Sequence, residues 1–329
     1  MGVVVLSEGE IRACVGVDEA ALAVVADGFT RLAQGKATMP PIMRIDIPEN
    51  NGEVDIKSAY LQGLDSFAVK MSSGFFDNDR LGLPSLSGMM VLLSAKTGIP
   101  EAVLLDNGYL TDVRTAAAGA LAAKHLAPAT VRTVGIVGAG AQARYQLRAL
   151  RLVRDFERVV VYSRTAADVA RYVAEMSAEL GVAVAAAEDV ASLVQASQVV
   201  VTTTPAKSPF LKAEWLHPGL HITAMGSDAE EKQELEAGVL GRADLLVCDR
   251  KSQAFRLGEL HHALAAGVIT EDSAIVELGD IAAGLAGGRQ SDDQITICDL
   301  TGTGVQDTVI AQLAYRQAKA AGLGLEIGD

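Results

Sequence analysis

The segment that most limits what this chain can become is VRTVGIVGAGAQA, residues 131–143. Its β-branched run reads as a strand ending at Val137, and a helix is expected from Ala141 to about Val153. Between them, Gly138-Ala139-Gly140-Ala141-Gln142-Ala143 has the form GxGxxA. With 32 Gly in the chain the string alone says little. Set between strand and helix, it gives each small residue a task. The first Gly permits a tight turn, the second lets backbone approach a pyrophosphate, and Ala143 allows close helix–strand packing. The helix N-terminus then faces the anion. A Gly-rich turn without a ligand is the alternative, and the regular pattern beyond it favours a cofactor site.

That pattern alternates short apolar strands with helices. Strands are expected at 157–164, 182–187, 197–205, 221–227, 243–249 and 294–300, with helices at Ala166–Leu180 and around Asp189–Ala196. Such alternation indicates a parallel, doubly wound α/β sheet of the Rossmann kind. The first 125 residues differ. An amphipathic helix, Asp18–Gln34, has Asp18 as N-cap. Strands follow at 42–48, 54–61 and 67–76, then a hairpin over 88–106 turning at Lys96-Thr97-Gly98. This is α+β and mostly antiparallel. A C-terminal helix near 305–321 is expected to return to the first domain, so that both domains share a cleft. The expected division is 126–307 for dinucleotide binding, with 1–125 and 308–329 forming a substrate-binding and dimerisation domain.

The 329 residues suit two domains. No apolar run reaches the roughly 18 residues of a membrane span, and the start lacks the basic and long apolar regions of a secretory signal. Cys14, Cys248 and Cys298 lie far apart without a CxxC, as expected of thiols in a reducing cytoplasm. A net charge of −13 argues against nucleic acid as partner. An anionic substrate must be held by a local basic cluster. At the end of the second strand stand Ser163, Arg164 and Thr165. An acidic residue there would repel a 2′-phosphate, whereas Arg can pair with it, so NADP(H) is favoured and NAD(H) remains possible. The alternative is that Arg164 only stacks on the adenine or faces solvent.

Arg44, Lys70 and Arg114 sit in apolar or hairpin contexts outside the parallel sheet, and Arg114 is expected to open the helix RTAAAGALAAKHL. A lone Lys or Arg is most often a solvated charge, and spacing alone cannot join these three. Glu259, His261 and His262 form ELHHAL, but adjacent histidines diverge on a helix and no i, i+4 His pair exists, so no metal is expected. Asp228 by itself reads as a helix N-cap, with Glu230-Glu231-Lys232 as the start of that helix.

The stretches YLTDVRTAAAGALAAKHLAP, VGIVGAGAQA, VKMSSGFFDN, GLPSLSGMMVLLSAKTGIPEAVLLD and DLTGTGVQDT closely resemble the ornithine cyclodeaminase/μ-crystallin family over nearly the whole chain. DIKSAYL and SSGFFDN look most like its ectoine-utilisation branch. The resemblance implies a homodimer in which Arg44 and Arg114 hold a substrate carboxylate, Lys70 is the active-site lysine and Asp228 the catalytic aspartate. It places cofactor contacts at Thr115, on Gly138, Gly140, Ala141 and Gln142, at Thr202, Thr203 and Thr204, at Met225 and near Leu300–Gly302. The chain departs from NAD-linked members at Ser163, where they carry Asp, and at Leu300, where some carry Ser.

These residue types suit redox chemistry at the α-carbon of a small amino or imino acid. Guanidinium groups hold an α-carboxylate, a lysine polarises the substrate, an aspartate moves a proton, and a nicotinamide carries the hydride. Imine reduction or amino-acid dehydrogenation is the leading expectation, with redox-neutral cyclodeamination second. A diaminobutyrate-like substrate would have to close a strained four-membered ring, which favours simple reduction. A non-catalytic binder is the third reading.

Overall fold

The computed structural model describes residues 2–328. By its contacts the chain divides into two units, Met1–Arg114 with Thr303–Asp329, and Thr115–Gly302.

In the first unit seven strands precede the seam: β1 (Val3–Ser7), β2 (Ala37–Thr38), β3 (Met43–Ile47), β4 (Gly52–Leu61), β5 (Ser66–Phe75), β6 (Leu86–Ser94) and β7 (Pro100–Leu105). The meander β4–β5–β6–β7 is antiparallel, with β2 and β3 both on the outer edge of β4. β1 pairs β7 in parallel and the last strand, Leu325–Ile327, in antiparallel fashion. The N-terminal run VVVLS therefore closes the far side of this sheet, a strand that the sequence reading passed over. Asp18 caps the Glu19–Ala33 helix by accepting from the Ala21 amide.

One face of this sheet is covered by the long helix Gly304–Ala320, capped by Thr303 and Gln306. Its Thr308 hydroxyl donates to the Ala59 carbonyl at 2.7 Å, and Gln312 donates to the Ser66 carbonyl at 2.6 Å. A Cβ at Gly304 would lie 2.4 Å from the Ser58 carbonyl oxygen, so only glycine lets the helix start this close to β4.

In the second unit eight strands form an all-parallel sheet: β8 (Thr133–Val137), β9 (Arg158–Tyr162), β10 (Ala183–Ala186), β11 (Val199–Thr202), β12 (His221–Ala224), β13 (Leu245–Cys248), β14 (Ile275–Glu277) and β15 (Thr296–Asp299). Their order is β10-β9-β8-β11-β12-β15-β13-β14. Residues alternate between two cores: Val199 and Val201 of β11 join one, Val200 the other. Burial on both faces is why these strands read as continuous apolar runs. The fold is thus a doubly wound α/β unit and an α+β unit, the latter built from the segments on either side of the former in the chain.

Two expected boundaries move. The helix carrying Arg114 begins at Tyr109, not at Arg114. Asp106 caps it by accepting from the Leu110 amide, after Asn107 and Gly108 in left-handed conformation, so TDVR is helix rather than turn. No helix follows Asp228: residues 229–231 make a turn, and the chain then runs extended, with Gln233 donating to the Ala206 carbonyl and Leu235 bridged to Leu211.

Candidate functional site

Strand order fixes where a ligand can sit in the second unit. The chain runs outward from β8 to β9 and β10, then crosses back to β11 on the other side of β8. Loops at the carboxyl ends of β8 and β11 therefore diverge and leave a crevice, where open α/β sheets bind their ligands. Gly138, after β8, has φ +109°, and a Cβ there would strike Thr203 Oγ1 at 2.5 Å. Gly140 differs: a Cβ would meet no protein atom within 4 Å. Packing does not require glycine at that position, whereas close approach of a pyrophosphate does. The Ala141–Arg151 helix starts at Gly140 with no side-chain cap on its first amides. Ala143 is fully buried, as tight helix–sheet packing demands. The residues present thus fit a dinucleotide.

The facing loop is pinned by a residue that the sequence reading missed. Glu234 is fully buried and accepts from the Thr202 hydroxyl (2.6 Å), the Thr204 amide (2.6 Å) and the Gly226 amide (2.9 Å). Burial pushes its carboxyl pKa up, and these donors oppose that shift. The Thr203 amide and hydroxyl both donate to the Val137 carbonyl, tying the loop to the end of β8. Met225, just beyond β12, is buried and donates its amide to the Thr202 carbonyl. Glu259 of ELHHAL accepts from the Glu234 and Leu235 amides, which explains its burial without a metal. Among the described residues no cluster of His, Cys, Asp and Glu could hold a metal ion.

Other expected cofactor residues of this unit fall as follows. Ser163 is half-buried, while Arg164 and Thr165 are exposed just beyond β9, with Thr165 heading the Ala166–Leu180 helix. Thr115 accepts at its carbonyl from Gln146, which also donates to the Gln142 side chain. Gly302, with φ +81°, donates its amide to Asp249 at 2.7 Å. Asp228 is exposed, and its Oδ1 accepts from Lys232 Nζ at 2.6 Å.

In the first unit, Lys70 and Arg114 come together. Lys70, at the middle of β5, is 2% exposed, with Nζ 3.1 Å from Asp307 Oδ1; Arg114 Nε lies 3.0 Å from the same oxygen. Arg114 Nη1 also donates to Gln306 at 3.4 Å. Lys57, buried on β4, is the cross-strand partner of Lys70. Burial lowers the Lys70 pKa to about 7; Asp307 opposes the shift, and Arg114 and Lys57 reinforce it. Asp106, fully buried, is pushed up to about 6, chiefly by desolvation. Arg44 lies on the same sheet face, but opposite Asp55 rather than Lys57, about 7 Å farther along β4. It is ion-paired with Asp46 (2.8 Å) and Glu53 (2.6 Å) and does not join Asp307.

Residues 3–322 match the ornithine cyclodeaminase/mu-crystallin family. The chain belongs to this family. An uncharacterized cyclodeaminase of Sinorhizobium fredii is 52% identical, over 97% of each chain. Among solved structures, the Δ1-pyrroline-2-carboxylate reductase of Thermococcus litoralis, in complex with NADH and L-proline, superposes with TM-score 0.94 at 31% identity, covering 98% of this chain and all of that one. An archaeal alanine dehydrogenase dimer with bound NAD superposes with TM-score 0.92 at 33% identity, covering 100% of this chain and 99% of that one. Both family resemblance and fold class therefore stand as the motifs implied.

Proposed function

We propose that the chain is a nicotinamide-dinucleotide-dependent oxidoreductase acting at the α-carbon of a small amino or imino acid, run as an imine reductase or amino-acid dehydrogenase. The observation that carries this reading is the buried meeting of Lys70 and Arg114 in a chain that also has the Gly138–Ala143 cradle. Isolated cations are rarely buried, and two cations on one aspartate oxygen leave positive charge for an anion.

In this reading the first unit binds substrate and self-associates, and the second holds the dinucleotide. Arg114 takes the α-carboxylate, with Arg44 as the outer cation at the rim of the same sheet face. Lys70, as an ammonium, polarises the C=N or C=O group and stabilises charge on the substrate. Asp228 carries the proton to or from nitrogen. The bound dinucleotide supplies or takes up the hydride. The ring-strain argument keeps reduction ahead of ammonia-eliminating cyclodeamination for a diaminobutyrate-like substrate of the ectoine type.

NADP(H) is the proposed cofactor form. Arg164 is exposed beyond β9, beside Ser163 where an acidic residue would exclude a 2′-phosphate. The deciding experiment offers imino acids, or 2-oxo acids with ammonia, alongside NADPH or NADH, and diamino acids alongside NADP+ or NAD+, and scores dinucleotide turnover and ammonia release. NAD(P)H consumption without ammonia release is expected. Arg164→Ala should raise KM for NADPH roughly tenfold and leave NADH nearly unchanged. Redox-neutral ammonia release would replace this reading with a cyclodeaminase, and equal losses with both dinucleotides would remove the NADP(H) preference.

The outer face of the first sheet supports a homodimer. Met43, Ile56, Met71 and Met89 form one row across β3 to β6, with Ile45 and Val54 in the next. Met43 and Ile45 are about half exposed, at 53% and 48%. A broad apolar face of this kind is expected to bury itself against a second copy. Sedimentation equilibrium should read twice the chain mass at micromolar concentration; a monomer there would remove the proposal.

A further inference from the structure

Asp307 was not singled out by any motif argument, although it lies within DLTGTGVQDT. It stands in the first turn of the Gly304–Ala320 helix and is wholly buried. A carboxylate there is cut off from bulk solvent, which is costly unless cations compensate. Two cations arrive from different elements: Lys70 from β5 and Arg114 from the Tyr109–Leu126 helix, both at Oδ1. Both carboxylate oxygens and Arg114 Nε are buried without a hydrogen bond of regular geometry, so the contacts at Oδ1 hold as ion pairs. The preceding Gln306 accepts from Arg114 Nη1 through the same oxygen that accepts from the Thr303 amide at 2.7 Å. The capped helix end and the cation cluster are thereby one construction.

The contact with Arg114 is made through Nε, one edge of the guanidinium. Among the described residues, the outer Nη edge makes the long 3.4 Å bond to Gln306. A carboxylate is best held by two parallel N–H donors, and that outer edge retains them. We propose that Asp307 is the positioning residue of this cluster: it fixes Lys70 and the Nε edge of Arg114, turning the outer guanidinium edge to the substrate carboxylate and holding Lys70 as an ammonium. This rests on the roles given to Lys70 and Arg114 above.

The groups facing Lys70 are Lys57 on β4, Arg114, Asp307, and Asp106 just after β7. Two like charges oppose its protonation. Asp106 is a weaker counter-charge, since its own carboxyl is pushed up to about 6. Asp307, by contrast, is held below its ordinary value by Lys70, Arg114 and Lys57 against the opposing effect of burial. It therefore stays ionised throughout the range in which Lys70 titrates.

The test uses Asp307→Asn, which keeps the shape and removes the charge, and Asp307→Glu, which keeps the charge. The Lys70 side chain is followed by NMR in the full chain carrying isotope-labelled lysine, assigned with Lys70→Arg. In Asp307→Asn, Lys70 should lose its proton about one pH unit lower or more, and KM for the imino acid should rise roughly tenfold. Dinucleotide affinity should not move. Asp307→Glu should restore most of the Lys70 titration, which also covers the case in which the Asn variant fails to fold. An unmoved Lys70 titration in Asp307→Asn, or in Asp307→Glu one displaced downward as if the charge were lost, overturns the proposal. A shifted titration with an unchanged pH–rate profile would instead uphold Asp307 and remove Lys70 from the chemistry.

Discussion

Lys70→Ala should lower kcat by about a thousandfold while leaving the Kd for NADPH within a factor of about two. The expected loss is large because Lys70 is not an interchangeable surface charge. It sits at the centre of β5, fully enclosed, with Asp307 on one side and Lys57 across the strand pair. A pKa near 7 makes the ammonium easily perturbed by a bound anion. In the proposed mechanism a substrate carboxylate on Arg114 should raise that value and so secure the charge that polarises the reacting bond. The alanine variant leaves Asp307 with Arg114 and Lys57 and removes the proposed polarising group altogether. Dinucleotide binding, which we propose for residues of the Thr115–Gly302 unit, should survive. Steady-state kinetics with a fluorescence titration of NADPH separates the two effects, and wild-type turnover in the variant would end the proposed mechanism.

Glu234→Ala should act on the other unit. Its carboxylate is the shared acceptor for Thr202, Thr204 and Gly226. Truncation leaves a buried hydroxyl and two amides without that partner, at about 1–3 kcal/mol for each group that water cannot reach. A loss of several kcal/mol is expected, visible as a marked fall in Tm. The loop Thr202–Thr204 also loses its fixed position beside β8, so NADPH should bind roughly tenfold more weakly. Thermal unfolding with and without NADPH measures both. An unchanged Tm would mean that water or rearranged backbone takes over the three donors.

The second unit was largely legible from sequence because its strands are buried on both faces and separated by helices. Each one except the three-residue edge strand β14, which the sequence reading missed, announces itself as an isolated apolar run, as at Val199–Thr202. The Gly138 turn was legible for a local reason as well: strand, glycines and helix are contiguous. What escaped shares a different property. β1 finds β7 about a hundred residues away, and nothing in VVVLS specifies that partner. Asp307 meets Lys70 and Arg114 across separations of about two hundred residues and more, so no spacing could flag it. Glu234 looked like one acid among several in AEEKQEL, and only the fold shows three donors converging on it. Arg114 and Asp228 were misplaced with respect to helix starts for a simpler reason. Asp106 outcompeted Arg114 as the start signal, and the segment after Asp228 takes its hydrogen bonds from a neighbouring strand-like stretch instead of from itself.

The construction of the first unit from both ends of the chain bears on how the protein is made. While the ribosome is still translating the Thr115–Gly302 unit, β4 and β5 lack the cover that Gly304–Ala320 gives the face carrying Lys70, because that helix follows the whole unit in the chain. The Thr115–Gly302 unit can complete its sheet earlier, since all its strands precede that helix. A nascent chain must therefore shelter an open antiparallel meander through the synthesis of nearly two hundred residues. A product that stops short of Gly304–Ala320 is expected to aggregate through that open face.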